Sequence, residues 1–377
     1  MRQKKTKVLE ILHSLQTGGI EVFFTNLLKA RNANEKEDFE IDVWTLCNDT
    51  PQHFDNTVKE QGCHIIRPRI VRWTSILHRP LCFFYLMWIL IKYGPYDVVH
   101  LHLHSTGCFF IPLLKLFRVR KIILHSHNSS ETGAGRIWQK IYPKINIFLS
   151  RFADFRFACS PEAGMDIFGK LPTKIIPYGI NTAKFAYTPE IRARKRAELG
   201  INDETLAIGI VGRLMEQKNH SFMLDIFNEI LKIRENCELL IAGDGHLRPI
   251  LSEKGMRLGI SGKTRFLGIR NDTEELYQAF DCFVLPSLYE GFPVVLIEAQ
   301  DSGLPCVISD TITPSIRLTD VKALPLSASP AEWAKSIVDV CKNHQRKDES
   351  DRIRQLGYDS ENTARIIFGI YSGEDSK

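Results

Sequence analysis

The sequence predicts an α/β protein with two Rossmann-like domains, each a parallel sheet covered by helices. Three observations lead to this fold class. The chain has 377 residues, more than one hydrophobic core usually holds. Short apolar runs alternate with helix-like segments, which is typical of parallel sheets with right-handed crossovers. The series of runs restarts after a charged, mostly helical stretch at residues 182–202, so we expect one domain over residues 1–183 and a second over residues 184–349.

Each predicted strand is a short apolar run followed by a loop or a helix-like segment. In the first domain these runs occupy residues 7–12, 40–46, 97–103, 121–125 and 155–159. In the second domain they occupy residues 206–211, 238–242, 264–267, 281–285 and 305–309. Ligands of such sheets bind beyond the carboxyl ends of the strands. The loops at Gly18, His127, Arg213, Gly243 and Glu290 each follow a predicted strand and could therefore line a site.

Composition restricts the class of protein. Hydrophobic residues make up 44% of the chain, and the nine cysteines include no Cys-x-x-Cys pair, which favours a globular protein in a reducing cytoplasm. The basic N-terminus lacks the uninterrupted apolar run of a signal peptide. The longest apolar run, residues 81–91, is shorter than the ~20 residues that span a bilayer. We therefore expect no transmembrane segment.

Charge is distributed unevenly along the chain. Residues 1–183 contain 24 Lys and Arg against 15 Asp and Glu, whereas the remainder contains 25 against 29. A basic first domain suits an anionic phospholipid surface or a diphosphate-linked acceptor. Nucleic acid is not expected as a partner, because the sequence has no helix-turn-helix, zinc-finger or RNP-like motif.

Two motifs in the second domain carry the functional signal. In EGFPVVLIE, Glu290 and Glu298 bracket a Gly-Phe-Pro turn, and Pro293 suits the first turn of an apolar helix. Amide groups at such a helix start attract anions, and flanking carboxylates accept hydrogen bonds from hydroxyls. In VGRLMEQKNH, Arg213 and Lys218 follow a strand within one loop. The combination suits a nucleotide sugar.

Together these motifs resemble the donor-binding signature of family 4 of the retaining glycosyltransferases, whose GT-B fold has two Rossmann-like domains facing each other across a cleft. Further segments match in the expected order: SLQTGGIEVF resembles the family's glycine-rich loop, DVVHLHLHS its mid-domain strand and IPYGIN its domain-closing turn. The resemblance covers residues from about 7 to 310 and looks closest to capsule and exopolysaccharide glycosyltransferases. It implies that a C-terminal helix at about residues 350–372 crosses back onto the first domain.

The resemblance implies a role for each motif residue. Arg213 and Lys218 would stabilise the charge that grows on the diphosphate without a metal, and Gly19 would let the backbone approach the phosphates. His127, in LHSHNSS, matches the active-site histidine that contacts the donor sugar. The implied catalytic set is His127, Glu290, Arg213 and Lys218, and the implied donor-binding set is Gly18, Gly19, Arg213, Lys218, Arg270, Gly291, Phe292 and Glu298.

The two glutamates have separate expected roles. Glu298 is the candidate for the ribose, since one carboxylate can accept hydrogen bonds from two vicinal hydroxyls. Glu290 is expected to hold hydroxyls of the transferred sugar. Many relatives have glycine where Pro293 stands, and proline offers no backbone donor there. Glu290 is not assigned as a covalent nucleophile, because the resemblance implies retention by front-face substitution, with an oxygen of the donor phosphate helping to remove the acceptor proton.

A cluster of histidines raises the question of a metal. His100, His102 and His104 alternate along one predicted strand and so point to one sheet face, where His125 or His127 could complete a metal site. Satisfied core histidines are the competing interpretation, no His-Glu-x-x-His motif is present, and the family needs no metal. We therefore expect no metal and no other cofactor.

Residues 65–94 interleave aromatic side chains with basic ones, among them Arg67, Arg69, Arg72 and Arg79. One interpretation is a basic loop followed by a core helix at residues 81–91. The other is a peripheral docking surface, where aromatic and cationic side chains meet lipid head groups. The sequence leaves both interpretations open.

The expected function is transfer of a hexose or N-acetylhexosamine from a nucleoside diphosphate sugar, with a UDP-sugar favoured, to a glycan that is lipid-linked. Capsule, exopolysaccharide or other cell-surface polysaccharide synthesis is the expected pathway, in the cytoplasm or peripherally at the inner face of the membrane. Two alternatives stay open: a nucleotide-sugar epimerase of the same fold, and a non-catalytic subunit that binds a nucleotide sugar and organises an assembly complex.

Overall fold

The computed structural model describes residues 5–16, 18–31, 38–47, 51–67, 78–103, 105–127 and 136–374. The polypeptide divides into two compact units. The first unit comprises Met1–Gly179 together with Gly357–Lys377, and the second comprises Ile180–Leu356. Each unit is built on its own parallel sheet, as the restart of the strand pattern predicts.

Within the described residues, the sheet of the first unit has seven parallel strands in the order β3-β2-β1-β4-β5-β6-β7. The strands are β1 Thr6–Leu12, β2 Phe39–Thr45, β3 His64–Ile66, β4 Val98–Leu101, β5 Lys121–Ser126, β6 Phe155–Ala158 and β7 Lys174–Ile175. The chain order reverses between β1 and β4. Ligands of doubly wound sheets bind beyond the carboxyl ends of the strands at such a reversal.

The described strands of the second unit repeat this arrangement in the order β10-β9-β8-β11-β12-β13, again all parallel. They are β8 Leu206–Val211, β9 Cys237–Ala242, β10 Thr264–Gly268, β11 Cys282–Leu285, β12 Cys306–Ser309 and β13 Val321–Leu324. The order reverses between β8 and β11, so the loops that follow β8, β9 and β11 leave the same edge of the sheet side by side.

Helices connect the strands of each unit. In the first unit they are α1 Gly19–Lys29, α2 Asp55–Glu60, α3 His78–Tyr93, α4 Ser105–Cys108, α5 Ile111–Leu116, α6 Arg136–Ser150, α7 Pro161–Phe168 and, near the C-terminus, α16 Ser360–Ser372. In the second unit they are α8 Thr182–Phe185, α9 Pro189–Leu199, α10 His220–Ile233, α11 Arg248–Arg257, α12 Thr273–Ala279, α13 Val294–Asp301, α14 Pro330–Asn343 and α15 Ser350–Gln355. Helix α16 packs against α1 and β1, within the first unit.

The ten strands predicted from apolar runs are all confirmed, with ends that differ by at most two residues. The prediction missed β3, β7 and β13. Each of these three lies at or near an edge of its sheet, has two to four residues and is at least partly exposed along most of its length. Such strands need no continuous apolar run, because only one side faces the core, so the sequence carries little signal for them.

Candidate functional site

The site predicted in the second unit is formed by three loops that follow β8, β9 and β11. The loop after β8 and the loop after β9 are in close contact: Leu214 N–H donates to the carbonyl of Asp244 at 3.0 Å. A Cβ atom on Gly243, which has φ of 131°, would lie 2.0 Å from the carbonyl oxygen of Gly212. Glycine is therefore required at residue 243 to bring the two loops together.

Lys218 and Glu290 belong to separate motifs, 72 residues apart in the chain, and meet in an ion pair. Lys218 Nζ lies 2.7 Å from Glu290 Oε1, and both side chains are largely buried. Ser287 Oγ donates to the same oxygen at 2.6 Å, and Gln217 Nε2 donates to Oε2 at 3.3 Å. The loops after β8 and β11 are also joined by Leu288 N–H, which donates to the Gln217 carbonyl at 2.8 Å. Glu290 thus holds Lys218 in one position.

Arg213 follows the same strand, β8, but unlike Lys218 it has no ion-pair partner among the described residues. Its side chain is exposed and makes no hydrogen bond or ion pair within the described part of the chain. An exposed guanidinium can donate two parallel hydrogen bonds to a phosphate. The loop after β8 therefore offers one anchored cation, Lys218, and one that is open to a ligand, Arg213.

Glu298 lies on α13 and is largely buried. Tyr277 Oη donates to Glu298 Oε2 at 2.9 Å. Burial raises the pKa of Glu298 to about 7, although the hydrogen bond from Tyr277 opposes that shift. A carboxyl group with this pKa changes its charge near neutral pH. Tyr277 was not predicted, because it belongs to α12 and no short-range pattern links it to Glu298.

The turn between the two glutamates is ordered and partly buried. Phe292 is 7% exposed, Gly291 is half-buried, and Pro293 is the residue before the first helical residue of α13, Val294. Proline lacks a backbone N–H. The first backbone donors that this helix can offer to a ligand therefore come from Val294 onward.

Arg270 stands apart from the other predicted donor residues. It follows β10, the edge strand two positions from β8. Its Nε and one terminal nitrogen bond both carboxylate oxygens of Asp272, at 2.8 and 2.6 Å. Lys195 Nζ lies 2.8 Å from the same carboxylate, and the hydrogen bonds from Arg270 hold the pKa of Asp272 well below its usual value. In this structure Arg270 belongs to a local ion cluster.

In the first unit, the glycine-rich loop lies between β1 and α1. Gly18 precedes the helix, which begins at Gly19. A Cβ atom on Gly18 would lie 2.4 Å from Glu21 Oε2, so the glycine makes room for this carboxylate. Ser14 Oγ donates to Glu21 Oε1 at 2.7 Å. Gly19 is exposed at the first turn, where backbone N–H groups have no partner inside the helix.

His127 directly follows β5 and is 3% exposed. Its Nε2 lies 2.9 Å from Nδ1 of His102, and its Nδ1 is hydrogen-bonded to the hydroxyl of Tyr178. His102 Nε2 lies 2.9 Å from Glu10 Oε2. Both ring nitrogens of His127 therefore have protein partners. The expected contact of this ring with a donor sugar stays a prediction.

The same sheet face carries two more buried histidines. His100 Nδ1 lies 2.6 Å from Tyr371 Oη, and this hydroxyl donates to Glu10 Oε1 at 2.6 Å. Among the described residues, His100 Nε2 and both nitrogens of His125 have no hydrogen-bond partner. Burial, and secondarily the neighbouring His102, holds the pKa values of His100 and His125 well below their usual value. These two rings are therefore neutral at physiological pH.

The histidines provide a weak donor set for a metal. His100, His102 and His125 offer nitrogen atoms within 4.8 Å of one another. Both nitrogens of His102 are already hydrogen-bonded, however, to Glu10 and to His127. Only two rings could coordinate an ion without breaking this chain, whereas a structural zinc site uses four protein ligands. His104, the fourth histidine of the prediction, lies outside the described residues.

The basic and aromatic segment divides between two environments. Arg67 is bonded through its guanidinium to Asp55 and so faces the protein. Burial opposes ionisation of Asp55, but the hydrogen bonds from Arg67 and from the Gln52 backbone lower its pKa. Arg69 and Arg72 lie outside the described residues, as does the side chain of Arg79. The Arg67 guanidinium is therefore engaged within the protein, and the lipid-facing interpretation of the segment stays a prediction.

Helix α3 has two apolar faces. Cys82, Leu86 and Ile89 are part of the hydrophobic core of the first unit. The opposite face is an exposed apolar stripe of four residues: Leu81, Phe84, Trp88 and Ile91, which are 40%, 61%, 40% and 67% exposed. Lys92 Nζ lies 4.6 Å from the ring centre of Trp88. No helix in the described ranges combines the length and apolar character needed to cross a bilayer.

Comparison with known proteins identifies the family. The family model for "Glycosyltransferase Family 4" matches residues 17–184, and the family model for "Glycosyl transferases group 1" matches residues 205–343. The chain is 31% identical to EpsF of Bacillus subtilis (strain 168), a glycosyltransferase by name, over 99% of this chain and 98% of EpsF. This chain therefore belongs to the family 4, or group 1, glycosyltransferases, and it is a glycosyltransferase.

Two further proteins extend the comparison. The UDP-Gal:alpha-D-GlcNAc-diphosphoundecaprenol alpha-1,3-galactosyltransferase of Escherichia coli is 29% identical over 59% of each chain. The crystal structure of HepE from Anabaena in complex with UDP-glucose superposes with a TM-score of 0.70, over 98% of both chains and with 17% identity. The structural likeness confirms the GT-B fold class, as does the pair of parallel sheets.

Proposed function

We propose that this glycosyltransferase moves a hexose or N-acetylhexosamine from a UDP-sugar to a lipid-linked glycan, with retention at the anomeric carbon, during synthesis of a cell-surface polysaccharide. The observation that carries the donor assignment is the loop after β8, which holds Lys218 against Glu290 and leaves the Arg213 guanidinium exposed. The UDP-glucose bound to HepE and the UDP-galactose named for the E. coli relative support a uridine donor.

Arg213 and Lys218 act on the leaving diphosphate. When the bond between the anomeric carbon and the phosphate oxygen breaks, negative charge grows on the diphosphate, and two fixed cations stabilise it. Lys218 needs no reorganisation at that moment, because Glu290 and the backbone of the loop already hold it in place. The Arg213 side chain is exposed, so the N–H groups of its guanidinium are free to donate hydrogen bonds to the phosphates.

The two carboxylates act on hydroxyl groups. Glu298 binds the ribose in its ionised form, with Tyr277 stabilising that form. Glu290 keeps Lys218 through Oε1 and offers Oε2, which has only the 3.3 Å contact with Gln217, to hydroxyls of the transferred sugar. In front-face substitution the acceptor oxygen bonds to the anomeric carbon on the side from which the diphosphate leaves. The acceptor proton passes to a phosphate oxygen, so Glu290 forms no covalent bond.

The acceptor side belongs to the first unit in this proposal. The E. coli relative is named for a diphosphoundecaprenol acceptor, and residues 1–183 are the basic part of this chain. The exposed apolar stripe on α3 would enter the interfacial layer of an anionic membrane, with Lys92 at the head groups. Arg67 is bonded to Asp55 in this structure, so the proposed contact is argued from the stripe and Lys92.

A thermal-shift and turnover screen tests the proposal. A ligand that binds the folded state raises the melting temperature, so UDP and UDP-hexoses should stabilise the purified protein more than ADP, GDP or their sugars. Transfer to an undecaprenyl-diphosphate sugar should then follow with retention. Rearrangement of the donor without an acceptor would instead identify an epimerase, and binding without any turnover would identify an assembly subunit.

A further inference from the structure

Four side chains form a continuous hydrogen-bonded chain through the buried face of the first sheet: Glu10, His102, His127 and Tyr178. All four are at most 3% exposed. Phe23 of α1 covers the chain, with its ring centre 4.8 Å from that of Tyr178 and 5.6 Å from that of His127. Because water has little access to these side chains, the proton in each hydrogen bond of the chain lies on one or the other of the two protein atoms that form that bond.

The hydrogen-bond partners determine where these protons lie. The Glu10 carboxylate accepts from Tyr371 through one oxygen and from His102 Nε2 through the other. In the neutral form of His102 the single ring N–H faces Glu10, so Nδ1 accepts and takes its hydrogen bond from His127 Nε2–H. His127 Nδ1 is then an acceptor in turn. Burial raises the pKa of Tyr178 well above its usual value, so the phenol keeps its proton and donates it to this nitrogen.

We propose that Glu10 and His102 are positioning residues that keep the proton of His127 on Nε2 and prevent its ring from turning. The inference rests on the proposed function in one respect, namely that His127, at the carboxyl end of β5, serves the transfer. In many proteins the hydrogen-bond partner of one ring nitrogen determines whether the other nitrogen of the same histidine carries a proton. Here the Glu10 carboxylate would orient His102 in this way, and His102 would in turn orient His127. Neither Glu10 nor His102 contacts substrate in this assignment.

Nuclear magnetic resonance of the full chain labelled with nitrogen-15 at histidine measures the tautomer directly. The spectrum distinguishes a protonated from an unprotonated ring nitrogen, and a His127→Asn variant assigns the His127 signals by their loss. At pH 7.5 we expect His127 to carry its proton on Nε2 and none on Nδ1. A proton on Nδ1 in the parent protein, with or without one on Nε2, overturns the proposal without any variant.

Glu10→Gln tests the role of the carboxylate. With the amide oxygen facing Tyr371, the amide N–H₂ faces His102 Nε2, which must then accept. His102 therefore donates from Nδ1, and the His127 proton moves to its own Nδ1. Tyr371→Phe is the matched control, because it removes the other donor to Glu10 and leaves the chain to His127 intact; its His127 tautomer should equal that of the parent. An unchanged tautomer in Glu10→Gln overturns the proposal.

Kinetics separate positioning from stability. Glu10→Gln should lower kcat by about tenfold or more while the KM for the donor changes by less than about threefold, because a misoriented catalytic group affects the transition state more than ground-state binding. A rise in KM alone contradicts the assignment. The resonance experiment requires no substrate, so absence of turnover with every donor removes the proposed function but leaves the tautomer result to judge the chain on its own.

Discussion

The carboxyl edge of the second sheet and the buried face of the first sheet both gather ionisable side chains, and they differ in how these groups meet water. At the edge of the second sheet Arg213 is exposed and Lys218 is anchored by Glu290. On the face of the first sheet His100 and His125 are fully enclosed and neutral. The edge of the second sheet thus keeps charged groups available to a ligand. The two enclosed histidines on the face of the first sheet carry no charge, so only the positions of their protons can vary.

This difference follows from the cost of burying charge. A buried ion needs a partner and hydrogen bonds, or it loses its charge through a shifted pKa. Glu10 keeps two donors in the first unit, and Lys218 keeps a carboxylate in the second. Groups that stabilise developing charge belong near the substrate, whereas groups that set orientation can be remote and dry. We therefore expect the two units to make separate contributions that mutations can distinguish.

The largest expected effect comes from the exposed and anchored cations of the second unit. Arg213→Ala and Lys218→Ala should each lower the transfer rate by about 10²–10³-fold, equivalent to about 2.7–4 kcal/mol, the usual cost of removing an electrostatic donor from the transition state. Steady-state kinetics with a UDP-sugar measure the loss. Arg257→Ala, which removes an exposed cation from α11 of the same unit, is the matched control and should leave the rate unchanged. Transfer rates within about threefold of the parent for Arg213→Ala would contradict the role of this loop.

The second prediction compares the apolar surfaces of the two units. Phe84→Ser combined with Ile91→Ser should weaken binding to phosphatidylglycerol vesicles by about tenfold or more, because a large apolar side chain contributes about 1.5–3 kcal/mol when fully removed from water. Co-sedimentation measures the binding. Ile250→Ser is the control, since Ile250 is 59% exposed on α11 of the second unit, close to the 61% of Phe84. Equal binding by the double variant and the parent would leave the stripe on α3 without a lipid role.

The third prediction concerns Glu298, the one buried carboxyl of the second unit whose pKa, about 7, lies near neutrality. Only the ionised form accepts hydrogen bonds from both ribose hydroxyls, so affinity for UDP-glucose should rise between pH 6 and pH 8, by up to about tenfold as the ionised share rises from about one tenth to about nine tenths. The donor sugar is used because its diphosphate does not titrate in this range. Isothermal calorimetry measures the affinity.

Two variants check the origin of this pH dependence. Glu298→Gln should bind with an affinity that is independent of pH over the same range. Tyr277→Phe removes a hydrogen bond that favours the ionised carboxylate, so the pKa should rise further and the increase in affinity should move to higher pH. A pH dependence that persists in Glu298→Gln would assign it to another group.

Much of the fold can be predicted from local patterns. Strand β8 coincides with its apolar run at residues 206–211, because a strand covered by helices on both faces must be apolar throughout. The loops after β8 and β11 were also predicted, because the two motifs sit at strand ends. The short edge strand β13 was missed, since its four residues are all at least partly exposed and include Lys322.

The partners within the site could be predicted only in part. Glu10 and His102 are 92 residues apart in sequence, and Glu10 and Tyr371 are 361 apart, so their contact depends on the register of β1 with β4 and on the packing of α16. The alternation of His100 and His102 showed that they share a face. Nothing local in the sequence indicates which nitrogen each ring offers, or that Arg67 would bond Asp55.

The smallest expected effect is that of chelation, which tests whether the neutral face of the first unit stays free of metal. Both ring nitrogens of His102 are hydrogen-bonded, to Glu10 and to His127, and among the described residues of the cluster only His100 and His125 have ring nitrogens without a partner. Since Arg213 and Lys218 are proposed to supply positive charge for the diphosphate, we expect EDTA to change the transfer rate by less than about twofold, unlike an enzyme that depends on a catalytic metal. EDTA saturated with zinc is the control for effects of the chelator itself. Loss of activity in EDTA that zinc or manganese restores, with the ion found in the protein by elemental analysis, would instead favour a metal site at the histidine cluster, where coordination by His102 would break the hydrogen-bonded chain to His127.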